Sequence, residues 1–499
     1  MLFNSYFFLF VFLPTTLAAF HLLRRESWPK ALAAVSMLSL IFYASWDPRY
    51  LALLVPSLLI NYWLGDTIAR TRQRGWLIAG IAANLAVIGW FKYSLFLYVN
   101  LTGGAEAPDF LRDIALPLGI SFITFQKIAY LVDIWRGYPK ATSFGRFAFF
   151  VLFFPQLIAG PIVLFRNIDR QVGHGPRPAA RYRAMAYFGL IVFAIGLFKK
   201  VIFADGLGYF ADTIFGFAAE QPSALSAADA WLGALTYSLQ LYFDFSAYSD
   251  MAIGMGFMFG FRLPTNFNSP YHASTIIDFW RRWHMTLSTF FREYVYIPLG
   301  GNRRGIAWQA VFVIVVFLLT GLWHGAGWTF IIWGGIHGLL VLTNHLWVRW
   351  SPIRLPHLLT WPATVLAAVV LWVIFRSPNW TVATKVLTAM TFTGPEVAAR
   401  ALDDTLAYGP AWAMTAAIGV IALVTPNSRR LARHLRRGVW VIHPTTQSPR
   451  RGGPGRSRRS DVAPARPGFL VQAVITAVLL YFAIASIGTM QSKFIYFNF

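Results

Sequence analysis

The sequence predicts an all-α polytopic membrane protein of about 11–12 transmembrane helices, with additional re-entrant and interfacial amphipathic helices. Hydrophobic residues make up 57% of the 499 residues and charged residues only 13%, whereas a soluble domain usually carries about 25% charged residues. Apolar runs of about 18 residues or more recur along the chain, and each is long enough to cross the roughly 30 Å hydrocarbon core as a helix. Cysteine is absent, which excludes disulfides, thiolate nucleophiles and cysteine-ligated metal sites.

Twelve apolar runs are candidate spans. The first begins without a basic segment and lacks a small-residue cleavage site, so we interpret it as a retained span rather than a signal peptide. In chain order the candidates are residues 2–22, 31–46, 50–64, 76–99, 113–135, 184–204, 229–258, 306–323, 327–347, 358–376, 408–425 and 468–488. A further apolar stretch at 147–168 is interrupted by Pro155, Gly160 and Pro161, which predicts a re-entrant or broken helix that does not cross.

The basic residues predict the orientation. They lie in short loops such as those around Arg24, Arg72 and Lys140, all on one side if the spans alternate, whereas residues 202–260 contain no lysine or arginine. Under the positive-inside rule the basic side is cytoplasmic, so both termini are expected on the outer side of the membrane. A net charge of +23 distributed over such loops indicates membrane topology and not a nucleic-acid-binding surface.

We expect residues 1–425 and 468–499 to form one membrane domain, with a catalytic core at about 113–348. The remaining segment, 426–467, contains eleven arginines and one acidic residue among prolines, glycines and serines. This composition predicts a disordered cytoplasmic loop.

The segment Asp278–Gly301, with the sequence DFWRRWHMTLSTFFREYVYIPLGG, is too polar to cross a bilayer and too aromatic to be free in water. On one continuous helix, Arg281, His284, Ser288 and Arg292 share a stripe, with Arg282 beside it. The pattern predicts an amphipathic helix at the cytoplasmic interface. Such a helix can serve as a plain anchor whose arginines meet lipid phosphates, but a group that titrates near neutrality is of no use to an anchor.

His324 lies between two long apolar runs in the segment TGLWHGAGW, residues 320–328. An ionisable side chain at that depth indicates a functional site, and histidine is the usual general base for a hydroxyl nucleophile. The alternative is a neutral histidine that is hydrogen-bonded between helices. For His337, on the following span, packing is the favoured role.

Polar residues also occur within two other spans. Asp244, in YFDFSAYSD, requires a partner if it is buried, and the nearest candidates in the following loop are Arg281, Arg282 and Arg292; a structural ion pair is favoured over a catalytic role. Gln126 belongs to a group of polar side chains on the fifth span that is suited to lining a wet cavity. Motifs for a phosphate-binding loop, a zinc protease helix and a serine-hydrolase elbow are missing from the sequence, so the energy for a reaction has to arrive with an activated substrate.

Several of these segments resemble the membrane-bound O-acyltransferase family, in particular its bacterial branch that serves alginate O-acetylation. The similarity is carried by FWRRWHMTLSTFFREYVYIPLGG and GLWHGAGWTFIIWGGIHG, and by ALPLGISFITFQKIAYLVDIWRG, FFPQLIAGPI, YFDFSAYSDMAIGMGFMFGF and the terminal FIYFNF. It covers most of residues 1–425 and the last helix, and it implies the fold of that family. The expected site comprises His324 and His284 as catalytic residues, Arg281, Arg282, Ser288, Arg292, Trp323, Asp244 and Gln126 as donor- or substrate-binding residues, and no metal.

The resemblance also implies a reaction. An acetyl group passes from a cytoplasmic thioester, most simply acetyl-CoA as co-substrate with no bound cofactor, to an exported polysaccharide such as alginate. The expected partners are the donor, the polysaccharide or a periplasmic acetyltransferase, and membrane lipids. Alternatives are D-alanyl transfer to teichoic acid and peptidoglycan O-acetylation within the same family. A transporter, or a structural subunit of an export complex, is the alternative from a different class.

Overall fold

A computed structural model describes residues 1–141, 143–221, 225–391, 408–437, 468–488 and 495. Within these ranges every regular element is helical, which confirms the predicted fold class. Helices are expected here because a lipid-facing segment has to pair all its backbone groups internally.

The first third of the chain crosses back and forth through long helices. In order it contains α1 (Leu13–Glu26), α2 (Trp28–Ala44), α3 (Leu51–Thr71), α4 (Arg74–Ile88), α5 (Ser94–Leu101), α6 (Asp109–Arg112) and α7 (Ile120–Trp135). Between α4 and α5 the helix continues through a π-helical segment, Gly89–Tyr93. Such segments inside α-helices frequently mark functional sites.

The middle part begins with three short helices and continues with long ones. They are α8 (Phe144–Leu152), α9 (Phe154–Leu157), α10 (Phe165–Gly173), α11 (Ala179–Phe198), α12 (Asp205–Glu220) and α13 (Ala227–Met258). The break predicted within 147–168 is present, since α8 and α9 end after nine and four residues and α10 starts a new helix. In contrast, α13 runs unbroken for 32 residues and packs against α11, α12, α19 and α21.

The last part contains the interfacial segment and the final long helices. They are α14 (Ile276–Arg282), α15 (Met285–Phe291), α16 (Ile297–Leu299), α17 (Ile306–His324), α18 (Trp328–Trp350), α19 (His357–Arg376), α20 (Trp380–Met390), α21 (Tyr408–Val424), α22 (Ser428–Arg437) and α23 (Gly468–Ala485).

Among the described residues, seven helical stretches are long and apolar enough to cross a membrane, and three shorter apolar helices accompany them. The seven include α17, α18 and α19, and the shorter three are α2, α21 and most of α23. Two predicted spans fall outside both groups: α7, which is 16 residues long, and α13. Both are buried on nearly all sides, so their polar residues face protein instead of lipid.

Each crossing reverses the chain, so the loops divide between two faces. We call the face that bears the loops 72–73, 136–141, 259–305 and 425–427 the basic face, and the face that bears 102–119 and 325–327 the opposite face. α17 starts on the basic face at Ile306 and ends on the opposite face at His324.

Two predictions about the basic face are wrong. The continuous helix predicted within Asp278–Gly301 is broken, because Trp283 has an extended backbone and His284 a left-handed one, with φ of 39°. The predicted disorder of 426–467 does not hold for its first part, which forms α22; residues 438–467 lie outside the described residues.

Candidate active site

α17 and α18 cross at very close distance, and this contact places His324. A Cβ atom on Gly321 would lie 2.2 Å from the carbonyl oxygen of Phe330, and one on Gly334 would lie 2.3 Å from that of Phe317. Glycine is therefore required at both positions, and the backbones of α17 and α18 are in contact. His324 follows Gly321 by three residues, at the very end of α17.

The His324 ring is buried in an aromatic enclosure. Its centroid lies 4.6 Å from the ring of Trp323, 5.2 Å from Trp333 and 5.1 Å from Phe375, and the residue is 3% exposed. Close edge-on aromatic contacts of this kind fix the plane of an imidazole.

A second helix holds the end of α17. The hydroxyl of Tyr93 donates to the carbonyl oxygen of Leu322 at 2.7 Å. The Nζ atom of Lys92 donates to the carbonyl oxygens of Trp323 and, at 3.2 Å, His324. These are C-terminal carbonyls without a partner inside their own helix, and a cation is favourable there because the helix dipole is negative at that end.

His324 and Lys92 line one narrow cleft that opens at the opposite face. The cleft is formed by the start of α7, the end of α17 and the turn after α9. Its lining comprises Lys92, Leu116, Pro117, Leu118, Gly119, Ile120, Ser121, Phe122, Ile158, Ala159, Trp323 and His324.

His284 belongs to the loop 259–305 on the basic face, yet it is completely buried. Its Nδ1 lies 3.1 Å from Oδ1 of Asn266, and the same oxygen accepts hydrogen bonds from the backbone N–H and the hydroxyl of Thr286. Because a backbone N–H can only donate, this oxygen is the acceptor and Nδ1 carries the imidazole proton. A neutral His284 therefore has its lone pair on Nε2.

The two histidines are joined through one tryptophan. The ring of Trp323 lies 5.8 Å from that of His284 and 4.6 Å from that of His324. Phe122 touches both Trp323 and His284, at 5.6 Å and 6.3 Å. His284 lies in a loop that enters from the basic face, and His324 lines a cleft at the opposite face. Contacts through Trp323 therefore run between a residue from each side of the protein.

A backbone with positive φ is uncommon for a residue other than glycine, although asparagine, aspartate and histidine adopt it more often than the rest. Within the described residues, Arg72 and Ser269 share this conformation with His284. The positive φ at His284 separates α14 from α15, so the predicted stripe on one helix face does not form. The imidazole is buried, while Arg281 and Arg292 stay exposed. Strained backbone of this kind persists where surrounding contacts hold it, and it is concentrated at functional sites.

The other predicted site residues fall into three groups. Trp323 lies at the centre of the site. Gln126 follows Phe122 by one helical turn and is buried, and its Oε1 has no hydrogen-bond partner among the described residues. The remaining residues are engaged elsewhere: Arg282 pairs with Asp278 at 2.8 Å, Arg292 lies 3.6 Å from Glu293, and the Ser288 hydroxyl donates to the carbonyl oxygen of Trp280.

Asp244 is not paired with the arginines expected from the sequence. Its carboxylate contacts Nζ of Lys200 at 2.8 Å and accepts a hydrogen bond from the backbone N–H of Ile495 at 2.9 Å. Lys200 also contacts Asp205 at 2.6 Å. The expectation of a structural ion pair is confirmed with a different cation, because the loop arginines lie at the surface while Lys200 lies beside α13 in the core.

His337 has the expected packing environment. The indole N–H of Trp280 donates to its Nδ1 at 3.2 Å, and the rings of Trp280 and Trp333 lie 5.0 Å and 4.8 Å away. Within the described part of the chain, no group of three or more histidine or acidic side chains is placed to hold a metal ion.

The sequence interpretation missed Lys92 and Asn266. Lys92 carried a usable signal, since an ionisable residue inside an apolar run is a functional hypothesis by default. Asn266 carried none, because its role depends on a contact with residues 18 and 20 positions later in an irregular loop.

Sequence comparison places these features in a known family. Residues 138–382 match the family model of MBOAT, the membrane-bound O-acyltransferase family. The chain is 42% identical to a peptidoglycan O-acetyltransferase of Helicobacter pylori, over 78% of this chain and 80% of the relative. It is 43% identical to a probable alginate O-acetylase AlgI of Pseudomonas aeruginosa, over 78% and 75%.

A more distant similarity covers less of the chain. A teichoic acid D-alanyltransferase of Bacillus subtilis is 31% identical over 47% of this chain and 60% of that protein. The predicted resemblance is thus confirmed, and the chain is an O-acyltransferase that belongs to the membrane-bound O-acyltransferase family.

Proposed function

We propose that this protein carries an acetyl group from a cytoplasmic thioester, acetyl-CoA, to hydroxyl groups of a cell-surface polysaccharide. The observation that supports this most is the placement of two buried histidines, one entering from the basic face and one lining a cleft at the opposite face, on either side of Trp323. In this assignment the basic face is cytoplasmic, both termini are periplasmic, and the protein resides in the bacterial inner membrane.

The site suits acyl transfer from an activated donor. His324 takes the proton of the acceptor hydroxyl, whose oxygen forms a bond to the thioester carbonyl carbon. When the tetrahedral intermediate collapses, the carbon–sulfur bond breaks and the thiolate recovers a proton from the imidazolium. The aromatic enclosure excludes water, which protects the thioester from hydrolysis and aligns the reacting groups.

His284 is assigned to the donor end. Its Nδ1–H is held by Asn266, so its Nε2 can take from the His324 imidazolium the one proton that came from the hydroxyl and pass it to the departing thiolate. Trp323 lies between the two histidines, and Gln126, one helical turn after Phe122, stays a prediction as a substrate contact. The predicted donor contacts from the interfacial segment stay predictions; they are Arg281, Arg282, Ser288 and Arg292.

The acceptor is a polysaccharide by analogy with the relatives, whose names specify peptidoglycan and alginate at nearly equal identity. We propose O-acetylation of an exported polymer such as alginate, directly or through a periplasmic acetyltransferase partner. Peptidoglycan is the second candidate. Deleting the gene and measuring ester-linked acetate separately on isolated peptidoglycan and on exopolysaccharide distinguishes the two, because one of the fractions has to lose its acetate.

The reaction itself is tested with purified protein in liposomes, acetyl-labelled acetyl-CoA and polysaccharide fragments. The label should leave the thioester and appear as an ester on the acceptor. His324→Gln keeps hydrogen-bonding capacity but cannot carry a proton near neutral pH, so transfer should fall by about 10² to 10⁴-fold. His345→Gln is the matched control, since His345 is half-buried on α18 and lies away from the cleft. Normal transfer by His324→Gln would exclude His324 as the base.

A further inference from the structure

A second cavity opens at the basic face and is surrounded by arginines. It lies between α11, the loop after α13 and α22, the helix that replaces the predicted disorder. Four arginines line it: Arg262, Arg429, Arg430 and Arg433. We call this cavity the arginine vestibule.

These arginines lack acidic partners. Among the described residues none of the four forms an ion pair, whereas Arg282 and Arg292 each lie beside a carboxylate. The nearby Asp250 is bound by Nζ of Lys199 at 2.8 Å. Burial lowers the pKa of Arg429; the carboxylate of Asp250 opposes that shift, and the charges of Arg433 and Arg262 add to it. Uncompensated positive charges around a concave site attract an anion.

α22 is fixed in place at the rim. Asn427 donates from its side-chain amide to Asn268 at 2.7 Å, Lys199 donates to the hydroxyl of Ser428 at 3.2 Å, and Arg429 donates to the hydroxyl of Thr265. The positions of Arg429, Arg430 and Arg433 therefore follow from specific polar contacts at the start of the helix.

The vestibule lies next to residues that contact His284. A smaller, adjoining cavity shares Thr265, Asn427 and Arg429 with it and is also lined by Asn266 and Phe267. Asn266 is the hydrogen-bond partner of His284, and the Phe267 ring lies 6.3 Å from the imidazole. The vestibule therefore borders the residues that hold His284, and the ion pair between Lys199 and Asp250 also lines the narrow space between them.

We propose that the arginine vestibule binds the phosphate-bearing end of the acyl donor, namely the phosphates of coenzyme A or of a phosphopantetheine arm, while the thioester end extends past Asn266 to His284. This inference rests on the proposed function for the identity of the donor. Arginine suits the task because its planar guanidinium binds phosphate through two parallel hydrogen bonds.

The test measures binding without turnover. Purified protein in a neutral detergent, free of anionic lipid, is titrated with coenzyme A, 4′-phosphopantetheine and pantetheine by calorimetry. Affinity should fall as phosphates are removed. In Arg430→Gln and in Arg433→Gln the Kd for coenzyme A should rise about ten-fold or more, as expected for loss of a charge-assisted hydrogen bond, and the Kd for pantetheine should not change.

Both variants should fold normally because the two side chains are exposed, which a melting curve verifies. Arg74→Gln, an exposed arginine on the same face, is the control, and Arg281→Gln tests the earlier stripe. Equal affinity of coenzyme A and phosphopantetheine, lost in both variants, would support the vestibule and favour a carrier-borne arm. Unchanged Kd values in Arg430→Gln and Arg433→Gln, or a larger effect of Arg281→Gln, would overturn the proposal.

The two proposals can fail separately. Arginine-dependent coenzyme A binding by a protein that transfers no acetyl group would retain the vestibule and reject the proposed function. Acetyl transfer with the same KM for acetyl-CoA in the wild type and both arginine variants would retain the proposed function and reject the vestibule.

Discussion

The close crossing of α17 and α18 predicts that one methyl group, placed far from any substrate, disables the enzyme. Gly334→Ala puts a Cβ atom 2.3 Å from the carbonyl oxygen of Phe317, short of ordinary contact by about 1 Å. The obstacle is backbone and cannot rotate away, so the helices have to separate by a similar distance. Overpacking of this kind typically costs about 1–3 kcal/mol of stability.

The effect on transfer should exceed the effect on folding. His324 lies at the end of α17 and packs against Trp333, the neighbour of Gly334, so a separation of the helices displaces the imidazole relative to its enclosure. A displacement of a catalytic group by about 1 Å can lower the rate roughly 10²-fold. We therefore expect kcat to fall about 10²-fold while most of the protein stays folded at 25 °C.

The adjacent glycine supplies a matched control. In Gly335→Ala the new Cβ meets a side-chain carbon of Leu318 at 3.4 Å, an ordinary contact. Acetyl transfer in liposomes and melting in detergent should both be near wild type. Equal activity of the two alanine variants, or equal loss in both, would show that the glycine contact does not position His324.

Three further outcomes are expected. Lys92→Met removes charge-assisted hydrogen bonds to the end of α17, so kcat should drop about 10- to 100-fold with an unchanged KM for the donor, and Tyr93→Phe, which removes one neutral bond, should lower it by less than about ten-fold; a change in KM alone would contradict a positioning role. Asp244→Asn leaves Lys200 with one carboxylate fewer in the core and should cost about 3–5 kcal/mol, seen as a lower melting temperature and poor membrane abundance; wild-type melting would argue against the ion pair. A reporter fused at Arg74 should report the cytoplasm and one at Ala218 the periplasm; the opposite pattern would invert the donor side.

Hydropathy was sufficient to predict the helical membrane fold, because a lipid solvent demands long apolar segments with internally paired backbones. It also located His324, since an ionisable side chain between two apolar spans is costly to bury and is usually functional. The same reasoning failed at His284. The pattern of apolar residues continues at helical spacing through Trp283 and His284, so nothing local indicates that the chain turns inward between them.

The parts of the site that the sequence did not predict depend on distant contacts. The hydrogen bonds from Lys92 to the end of α17 join positions 231 and 232 residues apart. The arginine vestibule joins the loop after α13 to a helix that follows α21. A segment as rich in arginine as α22 is disordered when its charges are solvated and helical when a surface fixes its first turn. Asn427, Ser428 and Arg429 supply that attachment, and their partners cannot be identified from local pattern.

The hydrogen bond from Ile495 to Asp244 has a consequence for the biogenesis of the protein. The two residues are separated by 251 positions, and at typical rates of about 5–20 residues per second a ribosome needs roughly 10 to 50 s to synthesise the intervening chain. During that interval α13 resides in the bilayer with a carboxylate that has Lys200 but lacks its second partner. A chain that stalls before residue 495 leaves this carboxylate with one hydrogen bond fewer, so α13 reaches its final set of contacts only when the C-terminal residues are in place.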